Sequence, residues 1–531
     1  MARCVVIASL IGASGAAGFA SAGDLQLMQI SKTAQTMSRD ERGREFYTHA
    51  NVRVYPSAAD PPRRDQAPIR KWIFALNSSA TDQVLETFIA EPEFQGSGRH
   101  TQPDMGALAF AFGDLTEDGL QAVLERNSES VKYAEEDELH NYIFDAADEE
   151  VGVYDEDIVM GGVASASATC NHPWGISAIN ADVGRPRGSG VSIFSLDTGV
   201  RSTHADFEGR AVRYLDLTNP ENTLTVCDGT DTTCANDLNG HGTHVAGTSI
   251  GHCYGVASAA TLYAAKVLKD DGTGYLSWIV DAIEYIETNV PMPFVISVSI
   301  EGPGTHQSVE DAMDQVVNSG ATVVVAAGNS NTDACTVTPA FVPSAITVAS
   351  YDQSNAKSSF SNYGSCIDVW APGSSVKSTS HSGDTATSTK SGTSMATPHV
   401  AGLVAIMYED PGTTALTADQ KKTLLLQGSA TNTITGIPTA YGGTANVVAQ
   451  APSVTPAPTP APVSGVGDPH LTNMYGEHFD LYRSGVNVLL QIPRWTGAEQ
   501  TLLRLEADAR RIGGACSDVY RRGRENIWAL D

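Results

Sequence analysis

The segment SGTSMATPHVAG, residues 391–402, places Ser394 among small residues just before a helical pattern. A lone serine in this position usually caps a helix. Nucleophilic chemistry requires partners: a base that takes the hydroxyl proton, an acid that orients the base, and donors for an oxyanion. Ser394 therefore predicts catalysis only if those partners occur elsewhere in the chain.

Three further motifs supply such partners. Asp197 ends the apolar run VSIFSLD, His241 opens a helical pattern in NGHGTHVAGT, and Asn329 follows the run VVVAAG. The order Asp, His, Ser is one of the known orders of the catalytic triad. We expect Ser394 to attack a carbonyl, His241 to take and return the proton, and Asp197 to orient the imidazole. The Ser394 N–H and the Asn329 carboxamide would stabilise the oxyanion, although Asn329 alone is also typical of a turn.

The elements that must position these residues alternate between strand and helix. Near-continuous β-branched runs separated by helical stretches indicate a parallel sheet covered on both faces, with the site beyond the carboxyl ends of its strands. The predicted strands are residues 191–197, 261–267, 294–300, 321–327 and 345–350.

The N-terminal sequence and the net charge limit the location and the partners that we expect for the protein. Residues 1–22 are typical of a secretory signal peptide, which predicts an extracellular, oxidising destination. The formal net charge of −28 argues against nucleic-acid and anionic-membrane partners. No later run approaches the roughly 20 apolar residues that span a bilayer. Seven of the eight cysteines follow the signal, without CxxC spacing, so zinc is not expected.

The remaining sequence divides into four segments. Residues 23–160 are predicted to be a propeptide, polar and unpatterned to about residue 65, with a small α+β unit at about 69–140 and an acidic exposed loop at 145–157. The catalytic motifs lie in a predicted domain at 161–448. A Pro/Ala/Thr-rich linker (449–465) and a short segment (466–531) follow.

The motifs DTGV, HGTHVAGT, AAGN and SGTSMATPHVAG, in this order, closely resemble those of the subtilisin-like serine peptidases (subtilases). PWGISAINA and KSSFSNYGSCIDVWAPG resemble the branch that includes proteinase K. The resemblance covers about residues 173–443. It implies a parallel α/β sheet of about seven strands flanked by helices, and an endopeptidase that forms an acyl-enzyme with Asp197, His241 and Ser394, assisted by Asn329. Protein or peptide substrates follow, and no cofactor is needed for the chemistry.

The resemblance also implies how substrate binds. In this family an extended peptide lies between two edge segments, which correspond here to Gly272, Thr273 and Gly274 and to Ser299, Ile300 and Glu301. Glu301 stands where the family usually has glycine. Its side chain could narrow the entrance of the pocket for the P1 side chain, attract basic residues, or turn to solvent.

The unit at 69–140 resembles the ferredoxin-like inhibitor and chaperone prodomain of subtilases, with EEDE at residues 135–138. In the family the tail of this prodomain occupies the substrate cleft until it is cleaved. The resemblance therefore makes the prodomain an intramolecular inhibitor. Self-cleavage is expected between His140 and about Thr169.

Structural calcium and a disulfide follow from the same resemblance. The calcium ligands correspond to the carbonyl oxygens of Pro343 and Ala345 and the carboxylate of Asp368. Cys335 and Cys366 correspond to a disulfide of related enzymes. Two further pairs, Cys227 with Cys234 and Cys170 with Cys253, are one arrangement among several, because connectivity cannot be deduced from sequence.

The segment after the linker, GDPHLTNMYGEHFDLY, resembles the opening of a von Willebrand factor type D module, without most of the cysteines of that module. It predicts an interaction or localisation segment with a protein or glycan partner. The side chains of His470, Glu477, His478 and Asp480 fit no strong metal-binding spacing.

Other interpretations remain. The pair His241 and His244 could suggest a metal site, but no third ligand accompanies it, and His244 and His399 are better explained as packed structural histidines. A secreted binding or adhesion protein on an inactive peptidase scaffold is the main alternative. Hydrolysis of small esters or amides is a third, although a peptide-shaped prodomain tail favours a peptide-shaped cleft.

Overall fold

A computed structural model describes most of the chain between residues 37 and 451 and five strands beyond. The gaps within that range are residues 41, 57–68, 78–81, 95–98, 101–107, 145, 150–169, 171, 183–186, 220–222, 411–412, 415, 432 and 439–442. The predicted signal peptide, the acidic loop apart from residues 146–149, the linker from residue 452, Glu477 and Cys516 lie outside the described residues.

The N-terminal unit is an α+β structure. Its elements are β1 (Ser38–Arg39), β2 (Glu45–His49), β3 (Val52–Tyr55), β4 (Arg70–Leu76), α1 (Asp82–Ile89), β5 (Arg99–His100), β6 (Ala109–Leu115), α2 (Glu117–Asn127), β7 (Val131–Asp137), β8 (Leu139–Asn141) and β9 (Ala146–Glu149). Seven of these strands form one sheet in the order β1-β2-β3-β7-β4-β6-β5.

The first three strands correct the prediction that residues 23–65 lack a pattern. β2 and β3 form a hairpin, and β3 pairs parallel to β7. Tyr47, Val52 and Val54 are buried under this sheet together with side chains of α1 and α2. Strands of two to five residues are too short to give a periodic signal in a polar segment, and tertiary packing fixes them.

The second unit carries the predicted site. Its elements are α3 (Trp174–Ala178), β10 (Ser192–Asp197), β11 (Ala211–Asp216), β12 (Thr225–Val226), α4 (His241–Ile250), β13 (Thr261–Lys266), β14 (Thr273–Tyr275), α5 (Leu276–Asn289), β15 (Phe294–Val298), β16 (Gly302–Pro303), α6 (Gln307–Asn318), β17 (Thr322–Ala326), β18 (Val337–Thr338), β19 (Ile346–Tyr351), β20 (Val369–Pro372), β21 (Val376–Thr379), β22 (Thr387–Ser391), α7 (Thr393–Glu409), α8 (Ala418–Gly428), β23 (Ala430–Thr431) and β24 (Val447–Val448), with 3-10 turns at Ala205–Phe207 and Ala334–Thr336.

The central sheet has ten strands in the order β12-β11-β13-β10-β15-β17-β19-β20-β24-β23. Eight strands, from β11 to β24, run parallel, and β12 and β23 pair antiparallel at the two edges. The expected parallel α/β sheet is therefore present, but the whole sheet is mixed and larger than the seven strands expected. The five strands predicted from β-branched runs are confirmed as β10, β13, β15, β17 and β19.

Alternate side chains of the sheet enter two cores, as expected for strands buried on both faces. One core joins the sheet to α4 and α7. The other joins it to α5 and α6 and extends into the N-terminal unit through aromatic side chains such as Phe110, Phe112 and Tyr133. The N-terminal unit is thus packed on the outer side of α5 and α6.

Within the described part of the chain, three disulfides join Cys170 to Cys253, Cys227 to Cys234 and Cys335 to Cys366. Beyond residue 451 the described strands are β25 (His470–Thr472), β26 (His478–Asp480), β27 (Gly485–Ile492), β28 (Leu503–Arg511) and β29 (Val519–Gly523). Among the described helices, none combines the length and the apolar character needed to cross a bilayer.

Candidate active site

Asp197 and His241 form a buried pair at the carboxyl end of β10. Asp197 is the last residue of that strand, and its Oδ1 lies 2.7 Å from His241 Nδ1. The N–H of Thr198 donates to the same oxygen at 2.7 Å. Both side chains are almost fully buried. The contact with the carboxylate places the proton of the neutral imidazole on Nδ1 and leaves Nε2 as the basic nitrogen.

Close backbone approach sets His241 at the first position of α4. The loop after β10 lies so near the helix that a Cβ on Gly242 would be 2.2 Å from the Gly199 carbonyl oxygen. Only glycine permits this contact, because real Cβ atoms do not approach backbone oxygens so closely. The glycine in HGTH therefore lets α4 bring His241 against the end of β10.

Asp237 organises the start of α4, and the sequence analysis missed it. Its Oδ1 accepts from Gly240 N–H at 2.8 Å and from Thr198 Oγ1 at 2.9 Å. Its Oδ2 accepts from Thr243 N–H at 2.8 Å and Thr243 Oγ1 at 2.6 Å. The Asn239 N–H also donates to Oδ1, at 3.1 Å. A buried aspartate that accepts from five donors holds the helix start and the loop after Asp197 in one register. The available signal was an aspartate three residues before Gly240, which is typical of a capping turn.

Ser394 is the second residue of α7, and its side chain is almost completely buried. Helices α4 and α7 pack against each other over the same face of the sheet. The first N–H groups of a helix have no partner inside the helix, and the helix dipole favours negative charge there. The Ser394 N–H is therefore in the right place to donate to an oxyanion.

Asn329 follows β17, and its amide is oriented by α7. Its Oδ1 accepts from Thr393 N–H at 2.8 Å and from Thr393 Oγ1 at 2.9 Å. Because a backbone N–H can only donate, this contact assigns the oxygen side of the amide and leaves Nδ2 as the donor on the other branch. Asn329 is thereby tied to the residue that precedes Ser394.

Glu301 does not turn to solvent, so that one of its three interpretations is wrong. The residue is 5% exposed. Its Oε2 accepts from Asn329 N–H at 2.7 Å, and its Oε1 accepts from Ser330 Oγ at 2.9 Å and Asn362 Nδ2 at 3.2 Å. A carboxylate that takes the place of the usual glycine therefore braces the backbone of the candidate oxyanion donor.

The two predicted substrate segments hold part of the chain itself. β8 pairs antiparallel with β14, with Asn141 opposite Thr273 and His140 opposite Gly274. Next along the chain, Tyr142 N–H donates to the Gly272 carbonyl, and the Tyr142 carbonyl accepts from Glu301 N–H, both at 3.0 Å. Ser299 and Ile300 are buried immediately before Glu301. An extended segment thus lies between both edges, as a peptide bound by strand addition would.

The chain then pairs with the strand that precedes Ser394. β9 pairs antiparallel with β22, with Glu149 opposite Thr389 and Ala146 opposite Ser391. Ser391 is three residues from Ser394. The N-terminal unit is therefore paired with the second unit by residues up to 142 and again from 146.

Acidic residues of the EEDE motif cap helices of the second unit. Glu135 Oε2 accepts from Ser308 N–H at 2.9 Å and Ser308 Oγ at 2.6 Å, and its Oε1 accepts from Gln307 N–H at 3.1 Å at the start of α6. Asp137 Oδ1 accepts from Ser277 N–H at 3.1 Å at the start of α5. Negative charge at these helix starts is favourable.

The contact between Glu135 and His306 shifts both pKa values. Burial disfavours both charges, but the hydrogen bond and charge of the partner outweigh it, so the pKa of His306 is raised and the pKa of Glu135 is lowered. His306 Nε2 also lies 3.0 Å from the Pro303 carbonyl oxygen. Both ring nitrogens thus face acceptors, which suits the imidazolium form.

The positions that the resemblance assigns to calcium are brought together, but around a lysine. Nζ of Lys422, on α8, lies 3.0 Å from the Pro343 carbonyl oxygen, 2.6 Å from the Ala345 carbonyl oxygen and 2.9 Å from Asp368 Oδ2. Lys422 was not foreseen, because nothing in the sequence of an amphipathic helix indicates where one lysine points.

His244 and His399 contact backbone carbonyl oxygens. His244 Nε2 lies 3.0 Å from the Val376 carbonyl oxygen, and His399 Nδ1 lies 2.8 Å from the Met395 carbonyl oxygen. Burial lowers the pKa of His399 to about 4, so it is neutral. Among the described residues, the one group of three possible metal ligands comprises Cys170, His252 and Cys253, and its two cysteines are joined in a disulfide.

Comparison with known proteins agrees with these motifs. The model of the subtilase family matches residues 188–475, which is more than half of the chain. The chain is 40% identical to alkaline serine exoprotease A of Vibrio alginolyticus over 47% of this chain and 43% of that protein. It is 42% identical to the extracellular serine proteinase of Thermus sp. (strain Rt41A) over 42% of this chain and 51% of that protein. It thus spans about half the length of these bacterial relatives.

A fungal relative is covered more fully. The cuticle-degrading protease of Metarhizium anisopliae is 38% identical over 56% of this chain and 75% of its own length. A solved cold-adapted subtilisin-like serine proteinase aligns with 50% of this chain and 90% of its own, at 38% identity and a TM-score of 0.45. The family match and the sequence relatives lead to one conclusion: this chain belongs to the subtilase family.

Proposed function

We propose that the chain is a secreted serine endopeptidase that hydrolyses peptide bonds through an acyl-enzyme and is made as a self-processing zymogen. The observation that carries the proposal is the segment from Leu139 to Tyr142, which lies between both predicted substrate edges. A cleft that accepts an extended backbone on both sides fits a peptide substrate better than a small ester.

In this mechanism the side chains act in the order of the triad. His241 Nε2 takes the hydroxyl proton of Ser394 as the Ser394 Oγ attacks the carbonyl carbon of the substrate. Asp197 stabilises the imidazolium that forms. The oxyanion accepts hydrogen bonds from the Ser394 N–H and the Asn329 carboxamide. His241 then returns the proton to the leaving amine, and water hydrolyses the acyl-enzyme by the same route.

The N-terminal unit would act as the intramolecular inhibitor until it is cleaved. The chain is paired with the second unit up to Tyr142 and again from Ala146, which lies opposite Ser391 on the strand before Ser394. We therefore expect the first self-cleavage between residues 142 and 146, inside the broader range that the sequence allowed. The relatives' names include an extracellular proteinase, which supports secretion. For the segment 466–531 we propose a localisation role with a protein or glycan partner.

The test compares the wild type with Ser394→Ala. Self-processing predicts that wild type loses the N-terminal unit, gains a new N-terminus at residues 143–146 and cleaves casein, whereas Ser394→Ala stays full length and inert by mass spectrometry. Ser391→Ala is the matched control, because Ser391 accepts from Ser375 N–H in the same motif without a place in the chemistry. Processing of Ser394→Ala would show that another peptidase matures the chain. Inert wild type would favour a binding protein on a peptidase scaffold.

A further inference from the structure

The second unit contains a point where three oxygens meet one ammonium group. Lys422 Nζ has three hydrogens, and three acceptors surround it: the carbonyl oxygens of Pro343 and Ala345 and Oδ2 of Asp368, at 2.6 to 3.0 Å. Asp368 Oδ2 also accepts from Thr347 N–H at 2.9 Å. The site therefore connects α8 to the segments that begin β19 and β20.

Calcium does not fit this arrangement. A calcium ion prefers oxygen ligands at about 2.3–2.6 Å. An ion that close to the same three oxygens would lie against Nζ, and two cations cannot share one point in a half-buried site. The donor set suits calcium only if Lys422 leaves it.

We propose that Lys422 is a built-in cation that replaces calcium at the Pro343–Ala345–Asp368 site. The free energy by which a bound metal stabilises a fold grows with the logarithm of its free concentration relative to its dissociation constant, and it vanishes when the metal is removed. A tethered ammonium is present in every folded molecule, so chelators cannot remove it and dilution does not weaken it. The proposal does not depend on peptidase activity.

The neighbouring lysine provides a matched control. Lys421 is buried, but its Nζ donates to the carbonyl oxygens of Thr414 and Leu416 and lies 4.1 Å from the centre of the Tyr408 ring. Lys421→Ala therefore removes a buried ammonium from the same helix without touching the three oxygens of the Lys422 site.

The test uses the full chain with Ser394→Ala, which prevents self-digestion. The unfolding midpoint is measured in excess EDTA and in millimolar calcium, and bound calcium is counted with the radioactive ion. Lys422→Ala is expected to bind one calcium more than its parent, and its calcium-dependent rise in midpoint should exceed that of its parent by at least about 4 °C. Calcium sites elsewhere contribute equally to both chains and cancel. If Lys422→Ala folds only with calcium, that rescue is the same result.

Three outcomes would overturn the proposal. If Asp368→Asn removes a calcium from the otherwise unchanged parent, the metal already displaces Lys422, and this measurement does not require Lys422→Ala to fold. If Lys422→Ala folds but gains neither calcium nor a larger response, the three oxygens are not a cation site. If Lys421→Ala gains the same response, calcium only compensates general destabilisation.

Discussion

Replacing Glu301 by glutamine tests whether its buried carboxylate supports the active site. The substitution conserves shape but converts one oxygen into an NH2 group. All three partners of the carboxylate are donors: Asn329 N–H, Ser330 Oγ and Asn362 Nδ2. The Ser330 hydroxyl can rotate and accept, but the other two cannot. In either orientation of the amide, one donor therefore faces another donor.

The magnitude follows from these contacts. Loss of the charge on the acceptor of the Asn329 N–H costs about 1 kcal/mol, and loss of the Asn362 contact costs about 1 kcal/mol more. Glu301→Gln should therefore lower the free energy of unfolding by about 2 kcal/mol. Loss of a whole oxyanion donor costs about 10²–10³ in kcat, so a displaced Asn329 should cost roughly 10-fold in kcat with little change in KM.

The assay combines urea unfolding of the inactive Ser394→Ala chain with steady-state kinetics of the processed enzyme. Glu284→Gln is the matched control, because Glu284 is also buried but accepts from Gln315 on the far side of the sheet. It should leave kcat unchanged. If Glu301→Gln alters stability by less than about 0.5 kcal/mol and kcat by less than about twofold, the Glu301 carboxylate does not support Asn329 and the reasoning is wrong.

Glu301→Gly should lower the preference for Lys over Phe at P1. An unchanged ratio of the two rates would show that Glu301 does not contribute to P1 selectivity.

Three further predictions concern other contacts. Asp197→Asn should lower kcat by about 10⁴, because the imidazole loses the carboxylate acceptor that fixes its tautomer. Steady-state hydrolysis of a peptide substrate by the processed enzyme measures this loss. Because the pKa of His306 is raised, its ion pair with Glu135 is fully present below the ordinary histidine pKa and is lost as the pH rises through the raised value. Because the pKa of Glu135 is lowered, protonation of this carboxylate breaks the ion pair only in acid. Release of the cleaved N-terminal unit should therefore accelerate toward alkaline pH, and His306→Gln should flatten that profile. Replacing both Cys335 and Cys366 by serine should destabilise the inactive chain by about 3–4 kcal/mol in urea, since the disulfide closes a loop with a separation of 31 residues.

The parts of the fold that sequence predicts well are those with strong local signals. Runs of β-branched residues predicted five strands of the sheet, and the helical patterns within the motifs predicted that His241 and Ser394 lie at helix starts. β11 and β20 escaped prediction because AVRYLD mixes apolar and charged residues and VWAP is only four residues long. Their place is decided by neighbouring strands rather than by their own pattern.

The site residues that sequence could not predict depend on where side chains point in three dimensions. The family resemblance assigned Glu301 to a substrate-binding segment. Its burial, however, depends on hydrogen-bond donors supplied by Ser330 and Asn362, which are 29 and 61 residues away. Lys422 is similar, since its partners lie 77 and 79 residues earlier. Such contacts have no local periodicity, so only the folded structure reveals them.

The placement of the disulfides bears on how inhibition ends. All three described disulfides lie between residues 170 and 366, and none reaches the N-terminal unit among the residues that the structure describes. Before cleavage, the inhibitory segment is part of the same molecule, so dilution cannot remove it. After one cut between residues 142 and 146, inhibitor and enzyme become two molecules, and their separation gains translational and rotational entropy. Cleavage of a single peptide bond thus converts an intramolecular inhibition that does not depend on concentration into a complex of two molecules. The lifetime of that complex depends on dilution and on digestion of the released N-terminal unit.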